Sequence, residues 1–532
     1  MKTLTKFVFE NEGGKKMKKF VLLLILVGFL AGGCSNSEEV KQDHVDEGPS
    51  EGFREEGMPI VEEEIDLRFF ARRSPVNSPY QDMQMFQEYE EMTNMNIEWD
   101  DVPQDGFAER KNLEFSSGEL PDVFYKSDIS QLEAVEYGSS GILIPLEELL
   151  EEYAPNLTAL YEEYPEIKAS ITAPDGHIYA LPALITLNAA RTDKIWINKT
   201  WLDNLGLKEP TNPDELIEVL TAFRDNDPNG NGEQDEVPMT FRNWGQLMNS
   251  MAGSWGLVNQ MGYQLNIKDD QVNIWMTDDR LKEYLQFLNK LYTEGLMDRG
   301  IFTQEESIFV GNMTAGKVGI FWNQTTDAFN DVKEHYIGMS PIVGPHGDQL
   351  HPSSPIARDF GTFAITSANE YPQETMRWID HFFSEEGSIF FRYGVEGETF
   401  EYDEEGNPQY LGSVSGEKIG QFTPWPGGGS PQLVTEKNAS AINPPEAQEA
   451  QGKLDPYLPE AVYGAPIFDE DTTKEVEQLR QDIDMYYQES TAKFITGDLS
   501  FEKWEEYVAT LENMGLDRLE EIYQEAYDLN YK

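Results

Sequence analysis

The chain has one cysteine, Cys34, and only six histidines in 532 residues. A lone thiol excludes an internal disulfide framework, and the histidines are scarce. The patterns H-E-x-x-H, G-x-S-x-G and a glycine-rich phosphate loop are all missing, so the sequence offers no nucleophile or metal-hydrolase centre. Positive charge is short as well, with 40 Lys and Arg against 97 Asp and Glu, a formal charge of -57. Such an imbalance argues against nucleic acid or an anionic membrane surface as a partner and reads as a solvated acidic face. Because carboxylates occur everywhere, pairs of them carry no weight as glycosidase machinery. No apolar run is long enough to span a bilayer, and no internal repeat or low-complexity tract is visible.

What is present begins near the N-terminus. Lys18 and Lys19 precede the apolar run from Phe20 to Leu30, then Ala31-Gly32-Gly33-Cys34 and polar, acidic sequence. A charged region, a short apolar region and small residues before a cleavage point make residues 1–33 a signal peptide. A cysteine at the first mature position resembles the bacterial lipoprotein signal. Cys34 would then be acylated, with palmitate among its chains, and anchored at the outer face of the cell membrane. Ala31 departs from the leucine usual there, Leu30 standing one place early, and an ordinary secretory signal is the other reading. Met17 opens a complete signal by itself, so the start is either Met1 or Met17. Loss of residues 1–33 leaves 34 basic and 95 acidic side chains, a charge of -61. Residues 34–64, rich in Ser, Glu, Asp, Gly and Pro, read as a flexible acidic tether, and 65–532 as the folded body.

From Ile65 the periodicity alternates. Ile65–Phe70, Asn96–Val102 and Val123–Tyr125 have strand composition, with helical spacing at Met83, Phe86, Tyr89 and Met92 and a helix over Phe107–Ser116. Strand, helix, strand, helix, strand is the rhythm of a mostly parallel sheet, hence an α/β fold. Ligands in such sheets sit at the carboxyl ends of strands, which places Arg72, Pro103 and Tyr125 to Asp128 near a cleft. Further strands fall after Asp175-Gly176, at Lys194–Asn198, Val318–Trp322 and Phe360–Thr366. Helices fall at Pro213 onward with Thr211 or Asn212 as cap, at Arg280–Gly295, Gln304–Ala315 and Glu374–Tyr393, and from Thr473 as two or three helices.

The loop D-P-N-G-N-G-E-Q-D-E, Asp227 to Glu236, carries the most specific chemistry. Side-chain oxygens alternate at Asp227, Asn229 and Asn231, with Asp235 and Glu236 following, and Gly230 and Gly232 let the backbone curl so that oxygens converge. First, third and fifth ligands, a glycine at the sixth position and the Glu233 carbonyl at the seventh follow the calcium-loop pattern of helix-loop-helix sites. Pro238 breaks the pattern at the twelfth position, so Asp235 or Glu236 has to supply the closing carboxylate. A solvated double turn after a helix is the alternative.

W-L-D-N-L-G-L at 201–207, P-T-N-P-D-E-L at 210–216 and this loop resemble the large extracellular solute-binding lipoproteins of bacterial ABC importers that take up oligosaccharides. The calcium-containing alginate-binding subgroup is especially similar. L-P-D-V-F at 120–124, D-G-H-I-Y-A-L-P at 175–182, L-Y-T-E-G-L at 291–296, G-K-V-G-I at 316–320 and Y-G-V-E-G at 393–397 add to the likeness. It implies a two-lobed periplasmic-binding-protein-like fold with hinge crossovers, lobes discontinuous in sequence and a C-terminal helical segment. It also implies a structural Ca2+ at Asp227, Asn229, Asn231, Glu233, Asp235 and Glu236, permease subunits as membrane partners, and a monomer. A sugar site needs flat aromatic faces interleaved with amide, carboxylate and Arg partners for hydroxyls. Trp425 in its Pro-Trp-Pro-Gly-Gly-Gly loop, Trp322 with Asn323, Trp255, Trp244, Tyr125, Arg358 and Glu396 have that chemistry, core packing being the other reading for each Trp. A secreted carbohydrate-active enzyme, or a receptor for a peptide or other small solute, stays open.

Overall fold

In a computed structural model of the chain, residues 48–326, 329, 332–412, 415–439 and 443–532 are described. Cys34, the signal sequence with both start methionines, and the tether as far as Glu47 lie outside them. Strands β1 (Ile65–Arg73), β2 (Met95–Pro103), β3 (Val123–Tyr125) and β4 (Leu181–Ile185) come first. β5 (Lys194–Asn198), β6 (Val237–Met239), the ribbon β7 (Leu265–Lys268) with β8 (Gln271–Ile274), β9 (Val318–Asn323) and β10 (Tyr336–Met339) follow. β11 (Ala357–Ile365), a second ribbon β12 (Phe400–Tyr402) with β13 (Pro408–Tyr410), and β14 (Leu433–Val434) come last.

Two sheets organise the body, each with its own core. The first lobe has the order β14-β4-β11-β3-β1-β2 and the second β10-β5-β9-β6. β1 lies parallel to β2 and β3, as the alternating pattern predicts. β11 then inserts antiparallel between β3 and β4, which local periodicity could not show. Successive residues of β1 serve opposite faces of the sheet. Phe69 meets Trp378 edge-on at 5.1 Å on one side, while Phe70 stacks on Phe107 at 5.4 Å on the other. In the second lobe the helix Pro213–Asp225 is capped by Asn212, whose side chain accepts from the Glu215 amide at 3.1 Å. It buries Leu216, Val219, Leu220 and Phe223 as its spacing predicts.

Two expectations change. The body starts at about Ser50 rather than Ile65. Ile60 and Val61 are buried in the first lobe's core, and Arg377 donates to the carbonyls of Arg54, Glu55 and Gly57. The short apolar run Met58-Pro59-Ile60-Val61 is masked, in a compositional reading, by the acidic residues around it. The single helix expected over Glu374–Tyr393 is two, Pro372–Asp380 and Glu385–Tyr393. Ser384 starts the second by accepting from the Gly387 amide, and the Asp380 carboxylate accepts from the Asn156 and Leu157 amides at the start of the helix Pro155–Glu163. The tail forms three helices, Glu470–Thr496, Trp504–Asn513 and Leu516–Tyr531, packed on the second lobe with Trp504, Tyr507 and Leu511 inward. Glu520 and Gln524 of the last helix accept from the Ile274 and Val272 amides, covering the open edge of β8. Among the described residues no helix is long and apolar enough to cross a membrane.

Candidate functional site

Among the described residues the chain passes between the lobes after β4, before β11 and after β14. Where the first two passages run side by side, a cleft of about 860 Å3 opens against the second lobe. Arg191, Thr192 and Asp193 line it from the first passage, His351 to Ser354 from the second, and Arg358 from the start of β11. The second lobe supplies residues around the helix Trp244–Ser250, with Asn259, and Trp322 to Thr325 at the end of β9.

Local rules hold this wall in place. Asn243 caps its helix by accepting from the Gln246 amide at 3.0 Å. The Gln246 side chain donates to Asp193 at 2.9 Å and to the Trp322 carbonyl at 3.3 Å, which ties a passage to β9. Arg242 donates to the Asn323 side chain at 2.9 Å, and the Trp196 indole donates to the Asn323 carbonyl at 2.9 Å. Lys194 reaches the Ala189 and Thr192 carbonyls, and burial pushes its ammonium down to about 8. His351 is fully buried, its Nε2–H donating to the Asp193 carbonyl at 2.7 Å, and burial pushes the imidazole down to about 4, so the ring is neutral.

The cleft is polar and its hydrogen bonds are incomplete. Arg191 Nε, Asn249 Oδ1, Asn259 Oδ1, Trp322 Nε1 and His351 Nδ1 are shielded from solvent and lack a partner among the described residues. Donors and acceptors concentrated this way around one cleft suit a ligand with many hydroxyls, since a buried polar group without a partner is costly.

Of the residues expected at a sugar, Trp322, Asn323 and Arg358 line the cleft. Trp322 is 1 % exposed and stacks on Phe241 at 4.6 Å, so it forms floor rather than an open platform. Trp244 stands between lining residues but turns its indole to Tyr487, 5.6 Å away. Trp255 is in the second lobe's core against Tyr284 and Phe287, and Tyr125 is fully buried among Phe69, Tyr80 and Trp99. Both are core, because their neighbours close over every face. Trp425 lies in the first lobe outside the cleft. Its indole donates to the Arg392 carbonyl and the Arg392 guanidinium sits 4.2 Å over its ring. Glu396 is exposed in the turn before β12. Sequence reasoning missed Arg191, Asp193, Gln246, Asn249, Asn259 and His351. The one signal was His351-Pro-Ser-Ser-Pro, an irregular stretch between two strands.

The acidic loop is a separate place, at the end of the helix Pro213–Asp225. The Asp227 carboxylate accepts from the amides of Gly230, Asn231 and Gly232, and Asn229 and Asn231 accept from the Asn231 and Glu233 amides. Gly230 and Gly232 take the left-handed conformation this curl needs, at φ 74° and 82°. Asp235 accepts from both asparagine amides and pairs with Lys317 at 2.9 Å. Both oxygens of Glu236 are shielded and make no well-formed hydrogen bond among the described residues, and burial, with Asp235 and Asp227 nearby, raises its carboxyl against the pull of the Glu236 and Asp235 amides. Among the described residues no three His, Cys, Asp or Glu side chains are grouped to hold a metal, the loop's donor set being half amide and carbonyl. Two sealed carboxylate oxygens without a well-formed hydrogen bond, beside two further carboxylates, nevertheless fit a hard cation.

The chain is 28 % identical over 537 residues to the fructooligosaccharide ABC transporter substrate-binding protein FusA of Streptococcus pneumoniae, covering 96 % of this chain and 97 % of that one. It is 23 % identical over 536 residues to the polygalacturonan/rhamnogalacturonan-binding protein YtcQ of Bacillus subtilis, covering 97 % and 99 %. The structure of S. pneumoniae FusA with kestose superposes with a TM-score of 0.69 at 27 % identity over 87 % of this chain and 99 % of that one. The alginate-binding protein AlgQ2 without calcium shares the fold, with a TM-score of 0.67 at 24 % identity over 88 % and 99 %. The pattern of the bacterial extracellular solute-binding proteins matches residues 74–389. With more than half its length matched and a two-lobed α/β body around a polar cleft, the chain belongs to the family of bacterial extracellular solute-binding proteins.

Proposed function

We propose that the protein captures an oligosaccharide between its lobes outside the cell and delivers it, as a monomer held by acylated Cys34, to the permease subunits of an ABC importer. The observation that carries this is the interlobe cleft of about 860 Å3 lined by Arg, Asn, Gln, Ser and Thr side chains. Hydroxyls of a sugar chain would hydrogen-bond to that polar wall, and the volume lies in the upper range for small-molecule sites. FusA, a fructooligosaccharide-binding relative, supports an oligosaccharide in this fold. Binding would work by population shift, because a ligand touching both lobes favours the closed arrangement. The test is calorimetry of purified protein against an oligosaccharide panel, with chromatography of the mixture afterwards. Stoichiometric binding with the sugar recovered intact is expected. Turnover of the sugar would make the protein an enzyme, and binding of peptides alone would end the sugar reading.

Structural calcium is part of the same proposal. Asp227, Asn229, Asn231, the Glu233 carbonyl, Asp235 and Glu236 would hold it. FusA is described as having an EF-hand, which supports the reading. A bound cation supplies compensating positive charge at the loop. The loop's own part is to fix the end of the helix Pro213–Asp225 against β6, with Glu236 leading directly into Val237.

A further inference from the structure

Deepening the oligosaccharide reading and resting on it, we propose that the cleft takes an acidic sugar chain, one carrying uronate carboxylates, and that Arg191 and Arg358 receive the anion. The chain as a whole has more than two acidic side chains for each basic one, 97 against 40. The cleft inverts that ratio. Its fixed charges are Arg191, Arg242 and Arg358 against Asp193 alone, and Asp193 already accepts from Gln246. Among the described residues Arg191 and Arg358 are bound only by neutral oxygens. Arg191 donates to the Ser354 carbonyl at 3.0 Å and the Asn188 side chain at 2.6 Å, and Arg358 donates to the Ala190 carbonyl at 3.4 Å. Arg191 keeps a sealed Nε with no partner, and Glu166 acts on it only through space.

A half-buried guanidinium without a carboxylate has lost hydration that no counter-charge has replaced, and a ligand anion would replace it. The apolar chemistry points the same way. A neutral chain is held largely by stacking on open aromatic faces, and the cleft's single aromatic ring, Trp322, is 1 % exposed. On the far side of Arg358 a recess of about 270 Å3 carries Asp359, so the cationic stretch ends there. The acidic outer surface would repel such a ligand everywhere except at this opening, so screening it would make capture faster as salt rises, while screening of the two arginines would speed release still more.

The experiment is calorimetry on the full mature chain with short oligogalacturonates and oligomannuronates, their methyl esters, and neutral oligosaccharides of equal length, at low and high salt. The acids are expected to bind about tenfold or more tightly than their esters, with affinity falling as salt rises. Arg358→Gln and Arg191→Gln should each lose about tenfold for the acid and little for the ester, and Arg358→Lys should recover part of the loss. Thermal melts recorded on each variant separate lost binding from lost folding, and Arg358, which makes one long hydrogen bond, keeps the test valid should Arg191→Gln unfold. Esters or neutral chains binding as tightly as the acids, or an Arg358→Gln variant that binds the acid unchanged, overturns the charge assignment while leaving oligosaccharide capture intact. Binding of no oligosaccharide of any charge overturns both.

Discussion

His351 shows how one side chain at the crossing couples the fold to pH. Its Nε2–H is committed to the Asp193 carbonyl, a bond that favours the charged ring, but burial outweighs it and Lys194 also opposes the charge. Burial therefore lowers its pKa from 6.5 to about 4. Between those values the unfolded chain binds the proton and the folded chain does not, so stability is complete above pH 6.5 and falls as pH drops toward 4. A shift of this size corresponds to about 3 kcal/mol. His381, also pushed down to about 4 by burial, adds a slope of the same sign, and Asp380, pushed up to about 6, opposes both. The contribution of His351 is isolated by His351→Gln, which keeps an N–H for Asp193 but cannot titrate. Urea midpoints of the two proteins should converge as pH falls from 7 to 4.5. A constant difference across that range would show that His351 does not titrate with folding.

At the scale of elements, the loop Asp227–Glu236 decides how firmly one helix end is fixed. Glu236 holds two sealed oxygens approached only by the amides of Glu236 and Asp235 among the described residues, and burial outweighs them, so without a cation it destabilises the loop it closes. Glu236→Gln is expected to raise the melting temperature in chelator, by the equivalent of about 1–3 kcal/mol, while reducing the gain on adding calcium. Asp227→Ala with Asn229→Ala should instead lower the melt and abolish its calcium dependence, because Asp227 also gathers three backbone amides. A wild-type melt indifferent to calcium and chelator would remove the cation from this loop. The elements themselves were largely legible in the sequence. Asn212-Pro213 fixes a helix start through its neighbours alone, and Leu281, Tyr284, Leu285, Leu288 and Leu291 mark the inner face of the helix Asp279–Thr293. The cleft was not. Asp193 meets Gln246, and Ser354 meets Arg191, across stretches that share no local pattern. Periodicity likewise says that a Trp is buried or half-buried without saying whether core or ligand covers it. That is why Trp322 fell in the cleft while Trp255, of similar local chemistry, fell in the core.

For the whole molecule, the lobes also meet away from the passages, and this controls how easily they part. The segment before the C-terminal helices lies against both. Gln260 of the second lobe donates to the Ala461 carbonyl, and Gln131 of the first lobe donates to the Ala465 carbonyl at 3.0 Å. Gly464 sits between them with no room beside it: a Cβ there would come within 2.5 Å of the Ser170 Cβ. Its backbone is not left-handed, so a larger residue is opposed by that neighbour rather than by strain. Gly464→Val should therefore act as a wedge, separating the first lobe from the segment, since Gly464 lines the recess beyond Arg358 rather than the cleft itself. If ligand is held by closure, the variant populates the binding-competent arrangement less, and its apparent affinity falls in proportion to that population. Small-angle scattering should give a larger radius of gyration for the ligand-free variant than for wild type, converging on the wild-type value at saturating ligand, with the apparent Kd raised several-fold. Unchanged affinity beside an expanded free state would show that closure does not contribute to binding, and an unchanged radius would show that this contact does not hold the lobes together.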